Sequence, residues 1–326
     1  MDPVLFGRDI ERTPDTLREL AAAVREANPW AALLSGPAES LVGGRRLVLL
    51  GMGSSHFANS VLALRLRAAG VNAIAVLASA EPLPHVDASD VVIAVSASGE
   101  SAETVDAIGK YSGRCSTIAV TNTSGSTIEA ACDAHLSLLA GKEEGGVACR
   151  SFAHTLGLHL VLLESLVGGI DASGLISSSA DAVEDLLSHR DEWLAPMSAL
   201  LLGPDGTAIV APARRLASAQ QSALMLREGP RLPAIACETG DWSHIDVYLT
   251  KTSDYRLMLL PGSKWESQLL EWCKQRGSTV VGLGADIPGA AYVLRYTGDD
   301  VEDVRLVSEA VVCESIAQHA WLHALG

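Results

Sequence analysis

Serine hydroxyls gather at two places where an apolar run gives way to a helical pattern. Asp90-Val91-Val92-Ile93-Ala94 reads as a strand, and Val95-Ser96-Ala97-Ser98-Gly99-Glu100-Ser101-Ala102-Glu103-Thr104 follows it and opens a helix. A second such junction lies 45 residues upstream: Leu47-Val48-Leu49-Leu50 is the strand, Gly51-Met52-Gly53-Ser54-Ser55 the turn, and 56–69 the helix. A strand-to-helix junction presents free backbone N–H groups and the positive end of a helix dipole, so it draws anions. Hydroxyls there donate to phosphate oxygens without lysine or arginine. The plain reading of either turn is a capped helix, since Ser is a common N-cap. Two hydroxyl-rich turns in one α/β unit favour a phosphate cradle.

Two further residues have chemistry to offer. Glu228 ends a helical run in Leu226-Arg227-Glu228-Gly229-Pro230. A carboxylate at a helix C-terminus opposes the dipole, a mild conflict that a solvated glutamate also tolerates. His244 lies in the turn-like Gly240-Asp241-Trp242-Ser243-His244 and is equally readable as a surface histidine. A dinucleotide fingerprint is absent. Gly51-x-Gly53-x-x-His56 lacks the third glycine, and Leu77-Ala78 stand where an acidic residue would close the second strand.

The elements that must hold these residues follow from the apolar pattern. Residues 1–40 read as an N-terminal helical arm with one helix, started by Thr13-Pro14-Asp15 and ended at Asn28-Pro29. Strands at 46–51, 72–77, 90–95, 116–121 and 135–139 alternate with helices at 55–69, 101–111 and 126–132. Apolar strands alternating with helices imply a parallel sheet covered on both faces. A long helix follows at 151–168, then a linking helix at 176–200 with a charged face. The pattern then restarts: strand 207–211, helix 214–228, strands 256–260, 279–283 and 291–295, and a closing helix 302–325. Ala63-Leu64-Arg65-Leu66-Arg67 and Ala223-Leu224-Met225-Leu226-Arg227 read alike, which suggests an internal duplication. The second copy has Ala211-Pro212-Ala213-Arg214-Arg215 where the first has its glycine-serine turn.

Composition sets the bounds. The 326 residues suffice for one large or two medium domains, and the 48% hydrophobic content is ample for buried cores. A net charge of −15 disfavours nucleic acid as a partner. The apolar runs are broken well below the ~20 residues of a membrane span. Met1-Asp2-Pro3-Val4 does not begin a signal peptide, and the six cysteines form no CxxC pair. A cytoplasmic protein with reduced thiols is expected, most of them core residues, with Cys149 and Cys237 beside motifs.

Gly51-Met52-Gly53-Ser54-Ser55, Ser96-Ala97-Ser98-Gly99-Glu100-Ser101, Thr121-Asn122 and Glu144-Gly145-Gly146-Val147-Ala148 together resemble the sugar isomerase (SIS) domain family. The pattern is nearest to the isomerase half of glucosamine-6-phosphate synthase, the fructosamine-6-phosphate deglycases and the stand-alone sugar-phosphate isomerases. It runs from about residue 45 to the C-terminus. The resemblance implies an α/β fold of two SIS-type three-layer α/β/α sandwiches with parallel sheets, plus the N-terminal helical arm. The implied division is arm 1–40, first SIS domain with the cradle 41–175, linking helix 176–200 and second SIS domain 201–326.

It also implies the site. In the resembled synthase a helix ending in Lys-Glu carries the base that moves a proton between sugar C1 and C2. A histidine sixteen residues on assists ring opening. Glu228 and His244 match both with the same separation of 16, and become the implied acid–base pair, with Asp241 or Glu238 as fallback bases. One carboxylate can abstract and redeliver the proton, and a histidine can act at the ring oxygen. Gly53, Ser54, Ser55, Ser96, Ser98, Ser101, Val147, Ala148 and Arg150 become the implied substrate and phosphate contacts.

Departures matter. Ala97 replaces the cradle glutamine, Cys149-Arg150-Ser151-Phe152 replaces a Thr-Lys pair, and Met225 stands where the catalytic helix would carry lysine. A ring-opening lysine beyond Leu322-His323-Ala324-Leu325-Gly326 and an N-terminal glutaminase domain are not expected. The expectation is an isomerase of phosphorylated sugars or amino sugars that needs no metal or cofactor. It would work as a homodimer with a shared active site. Deglycase and aminosugar-phosphate deaminase use the same base, and a non-catalytic sugar-phosphate sensor is the rival of another class.

Overall fold

In the computed structural model, residues 1–324 are described. The chain opens with four helices, α1 (Pro3–Glu11), α2 (Thr13–Glu26) and the single turns α3 (Ala31–Leu34) and α4 (Glu39–Val42). The first sheet region runs β1 (Leu47–Gly51), α5 (Gly53–Ala68), β2 (Ala73–Leu77), β3 (Val91–Val95), α6 (Ala102–Tyr111), β4 (Ser116–Thr121), α7 (Thr127–Ala131) and β5 (Ala134–Ser137). Three helices follow: α8 (Arg150–Val167), α9 (Ala172–Ser188) and α10 (Arg190–Leu201). The second sheet region runs β6 (Thr207–Ala211), α11 (Leu216–Glu228), β7 (Ala234–Glu238), α12 (Thr239–Trp242), β8 (Arg256–Leu259), α13 (Glu266–Arg276), β9 (Thr279–Leu283) and β10 (Tyr292–Leu294). Helices α14 (Glu302–Ser308) and α15 (Ala310–Ala324) close the described chain.

Packing divides these elements into two compact units. The first holds residues 15–142 and 150–177; the second holds 1–14, 143–149 and 178–326. In the first unit all five strands are parallel, in the order β2-β1-β3-β4-β5. Strands β1 and β3 are buried at every position, which is why they read as unbroken apolar runs. Helix α5 packs with α8 on the sheet, while α6 packs with α7. The α6 side of the core is built from Val48, Leu50, Val92, Ala94, Ile108 and Tyr111.

The second unit is a parallel sheet of order β10-β9-β8-β6-β7. Helices α11, α10 and α15 pack together with it, and α1 lies along α15. A second core joins Trp242, Leu269 and Cys273 to Val210, Leu257, Leu259 and Val280.

Several elements differ from the sequence reading. Two long helices and two single turns replace the one expected helix before residue 43. Arg12 caps α1 through its backbone N–H, and α2 starts at the very next residue, so the break is a tight joint that periodicity does not register. The linking helix 176–200 is two helices, parted at His189. The closing helix is parted at Glu309, and its last expected residue, Leu325, lies outside the described residues, as does Gly326. Strand β7 escaped notice because Ala234-Ile235-Ala236-Cys237-Glu238 is a short edge strand with only two buried positions.

Candidate active site

In the first unit the chain reverses its direction across the sheet between β1 and β3. From β1 the next strand, β2, lies on one side; from β3 the next, β4, lies on the other. Strands β1 and β3 are hydrogen-bonded neighbours, with Leu50 opposite Ala94. Such a switch point leaves a crevice beyond the carboxyl ends of the two strands, where ligands of open α/β sheets bind. Both serine turns leave the sheet there.

The serines do not behave as helix caps. Met52 and Ser101 hold the N-cap positions of α5 and α6, and neither makes a side-chain cap bond. Ser54 and Ser55 lie in the first turn of α5, partly exposed, with no hydroxyl partner among the described residues. Ser96 is buried, and its Oγ accepts the Gly99 N–H at 3.1 Å. Ser98 Oγ is exposed and accepts the Glu100 N–H at 3.2 Å. Accepting leaves each of those hydroxyl protons available to a ligand. Ser101 Oγ donates to Glu103 Oε2 at 3.0 Å and accepts from Thr104 Oγ1 at 3.1 Å.

Two glycines permit this shape. Gly53 and Gly99 have φ of +49° and +69°. A Cβ on Gly99 would stand 2.2 Å from Ser126 Oγ, so no side chain fits. Glu100 would repel an anion, but its two oxygens are engaged by the Thr127 N–H at 2.8 Å and the Thr127 hydroxyl at 2.6 Å. Those bonds hold its carboxyl below the usual range. The loop is tied to β4 by Asn122 N–H on Ala97 O at 3.1 Å. Arg150, expected as an anion partner, is fully buried at the start of α8 and donates to the Lys142 carbonyl.

Val147 and Ala148 belong to the second unit. Their segment is clamped from two sides. The Gly145 N–H donates to Asp9 Oδ2 at 2.7 Å, and a Cβ on Gly145 would come 2.5 Å from the Phe6 backbone of α1. Ala148 O accepts from Gln221 Nε2 of α11 at 2.9 Å. Val147 is buried.

Glu228 is the last residue of α11 and is half-buried. Its carbonyl accepts from Arg231 Nη1, and the following Gly229 lies so close to Trp321 that a Cβ would stand 3.0 Å from the ring. Burial raises the Glu228 carboxyl above its usual range; the Arg231 charge opposes this and the Glu143 charge adds to it. A carboxylate tuned upward is a stronger base.

His244 follows α12 and is exposed. Glu238 fixes the start of that turn by accepting the Gly240 and Asp241 N–H groups at 2.7 and 3.0 Å. Trp242, fully buried, anchors it by donating Nε1 to Tyr255 Oη at 2.8 Å. The fallback bases are therefore partly committed: Glu238 is a helix cap.

Topology keeps Glu228 and His244 apart within one unit. Helix α11 starts beyond the carboxyl end of β6 and runs back, so Glu228 lies at the level where β7 begins. His244 lies past the end where β7 stops. Five strand residues separate the two levels, about 16 Å.

Three acidic residues escaped the sequence reading. Glu143 acts electrostatically on Glu228, Glu314 is a buried acid of α15, and Glu309 pairs with Arg215. The available signal was a lone acid inside an apolar helix, Val311-Val312-Cys313-Glu314-Ser315-Ile316. Among the described residues no group of three His, Cys, Asp or Glu side chains is placed to hold a metal ion, and no helix is long and apolar enough to cross a membrane.

Comparison with known proteins matches the architecture. Residues 40–166 match the SIS domain model. The glutamine–fructose-6-phosphate aminotransferase (isomerizing) of Aeropyrum pernix is 30% identical over 274 residues, covering 77% of this chain. The chain spans 44% of that relative's length. Among solved structures, the C-terminal domain of glucosamine-fructose-6-phosphate aminotransferase from Francisella tularensis superposes with a TM-score of 0.82 at 16% identity, over 98% of this chain and 95% of that one. The tagatose-6-phosphate ketose/aldose isomerase of Escherichia coli gives 0.81 at 16% identity, over 98% and 94%. Residues 40–166 thus form a SIS domain.

Proposed function

We propose that this protein interconverts an aldose and a ketose that carry a phosphate, with Glu228 moving the proton between C1 and C2. The observation that carries this reading is the Glu228 carboxyl, half-buried at a helix end and raised toward neutrality by burial and by Glu143. The hydroxyls of Ser54, Ser55, Ser96, Ser98 and Ser101 at the first switch point hold the substrate's anion. The open-chain sugar loses a proton alpha to its carbonyl to Glu228, passes through an enediol, and regains a proton from the Glu228 carboxyl, which exchanges with solvent, on the neighbouring carbon. His244 serves the ring oxygen or carbonyl. The relatives that share the fold include, by their names, an aldose–ketose isomerase and an isomerising aminotransferase.

The separation of Glu228 from His244 supports a homodimer in which one copy lends its histidine to the other. Mixing Glu228→Ala and His244→Ala subunits, each inactive alone, then restores partial activity as mixed dimers form. Confirmed subunit exchange without recovery removes the shared site. The reaction itself is tested by mass spectrometry on hexose and amino-sugar 6-phosphates in deuterated water. An isomerase yields the paired sugar with one deuterium at C1 or C2. Release of ammonia identifies a deaminase, and release of a larger amine a deglycase. Binding without turnover across the whole panel leaves a sensor.

A further inference from the structure

A large aromatic ring gains by leaving water, and one ring of the second unit has not left it. Of the six tryptophans, Trp30, Trp193 and Trp242 are fully buried and Trp272 and Trp321 partly so, whereas Trp265 is 50% exposed. Trp265 holds the N-cap position of α13, at the end of the loop that follows β8. That loop is firmly held. Pro261 O accepts from Arg215 and Arg305, and Gly262 O accepts from Arg214 Nη2 at 2.7 Å. Glu266 Oε1 accepts both the Gly262 and the Ser263 N–H groups, and Ser263 Oγ accepts the Trp265 N–H at 3.2 Å. Gly262 has φ of +134°, and a Cβ there would stand 3.0 Å from Arg214 Nη2, so the path of the loop needs glycine. A backbone fastened at this many points does not expose its ring by slack.

The ring lies against the turn that carries His244. A Cβ on Gly240 would come 2.9 Å from Trp265 Cδ1 and 3.3 Å from Nε1, so the indole rests on the bare backbone of that glycine. Helices α12 and α13 pack together around the contact. Asp241 O accepts the His244 N–H at 2.8 Å, which ties His244 to the same turn. Beside the ring is a cation: Lys264 Nζ stands 4.7 Å from the ring centre, and Lys264 is exposed. We propose that Trp265 and Lys264 bind the sugar that His244 serves, the indole packing on its C–H face and the ammonium donating to its hydroxyls. This inference rests on the sugar-phosphate reading above and adds to it. The serine hydroxyls hold the anion, and this loop recognises the sugar.

The chemistry of the pair fits that ligand. An aromatic face takes up apolar C–H surface, and an ammonium has three protons to donate. The other cations around the loop are committed: Arg215 to Glu309, Arg214 to Glu302 and Gly262 O, and Arg305 to backbone carbonyls. Lys264 has no carboxylate partner among the described residues. The nearby carboxylates of Glu238 and Glu266 are engaged by backbone N–H groups. An exposed tryptophan also suits a protein partner, but protein interfaces are depleted in lysine, and here a lysine shares the ring.

The test compares Trp265→Ala, Trp265→Phe and Lys264→Met in the full chain, on the panel of hexose and amino-sugar 6-phosphates and on inorganic phosphate. Trp265→Ala raises KM by about tenfold, the loss of one large apolar contact, with kcat changed by no more than about twofold. Trp265→Phe recovers most of that loss, because a ring remains. Lys264→Met keeps the stem, removes the charge and raises KM by roughly threefold to tenfold. Competition by inorganic phosphate is unchanged in all three, since that anion has no sugar to recognise. Tryptophan fluorescence reads the same contact without turnover. A sugar phosphate alters the emission of the unsubstituted protein, inorganic phosphate does not, and the change is absent in Trp265→Phe. The inference is overturned if Trp265→Ala keeps the original KM, or if no sugar phosphate in the panel alters the Trp265 emission. A lower sedimentation coefficient for Trp265→Ala also overturns it, because the ring is then a contact between copies of the chain. The isomerase reading fails separately, if the unsubstituted protein shows the Trp265 response but converts no sugar phosphate.

Discussion

The two sheets have one strand order and opposite chemistry at their switch points. Each places its first strand between the second and third, so each opens a crevice between neighbouring strands, β1 and β3 in one, β6 and β8 in the other. At the first, the chain offers glycines with positive φ and hydroxyls that still have protons to give. At the second, arginines fill the space. Arg215, fully buried, pairs with the equally buried Glu309 and donates to Pro261 O, in the loop after β8. Arg214 donates to Gly262 O at 2.7 Å, and Arg305 reaches both Pro261 O and Gly284 O. The cations that an anion site would want are spent on the protein's own carbonyls and carboxylate. One topology thus leaves hydroxyls with protons to give in one sheet and fastens loops in the other, and the residues in the first turn decide which.

The comparison breaks first at Glu228, whose proposed role as the base would give the second sheet its part in the chemistry. Glu228→Gln keeps the shape and removes the base, so kcat falls 10²- to 10⁴-fold, an order-of-magnitude range, with KM little changed. Deuterium exchange at C1 and C2 stops with it. In the unsubstituted protein the acid limb of kcat lies above the ordinary carboxylate range, because the raised Glu228 must lose its proton to act. Exchange at the original rate in the variant moves the base elsewhere, with Asp241 next in line.

The second sheet breaks at Glu309. Glu309→Ala leaves Arg215 charged, buried and unpaired, and removing one partner of a buried pair costs about 3–5 kcal/mol. The expected outcome is a large loss in thermal or denaturant stability, with KM for substrate unchanged in the fraction that stays folded. A variant as stable as the parent would mean that the arginines are not fastening these loops.

Much of the first sheet was legible because β1, β3 and β4 are buried almost throughout and read as unbroken apolar runs, bounded by turns with their own signatures. β6 was equally plain, since Thr207–Ala211 is buried throughout. β7 was not, because an edge strand half in solvent carries little apolar signal. The serine turns were visible as strand-to-helix junctions, and the Glu228 to His244 separation as a spacing. What spacing could not reveal is that a helix and a strand of similar length return the chain past itself, leaving those two residues about 16 Å apart in level. Nor could it pair Arg215 with Glu309 across 94 residues of chain, because that contact depends on how α14 returns to the sheet. Glu314 needed its burial to be known before it could be told from a solvated helix glutamate.

The smallest effect is also the sharpest contrast with Glu309. Ser98 is exposed, and its one described bond is short-range, from the Glu100 N–H two residues on. Removing its hydroxyl leaves no buried group unsatisfied, so Ser98→Ala changes stability by no more than about 1 kcal/mol. If the hydroxyl proton meets the substrate's phosphate, the variant loses a hydrogen bond to a charged acceptor, ~1.5–3 kcal/mol, or about tenfold or more in affinity. KM rises accordingly, inorganic phosphate competes less well, and kcat stays near its original value, because the contact is made equally in ground and transition states. Isothermal titration with phosphate and a melting curve on the same variant decide the matter. Weakened binding with an unchanged melting temperature is the signature of a ligand contact. A lowered melting temperature with phosphate binding intact would make Ser98 a fastener like Glu309, and the two switch points would no longer differ in kind.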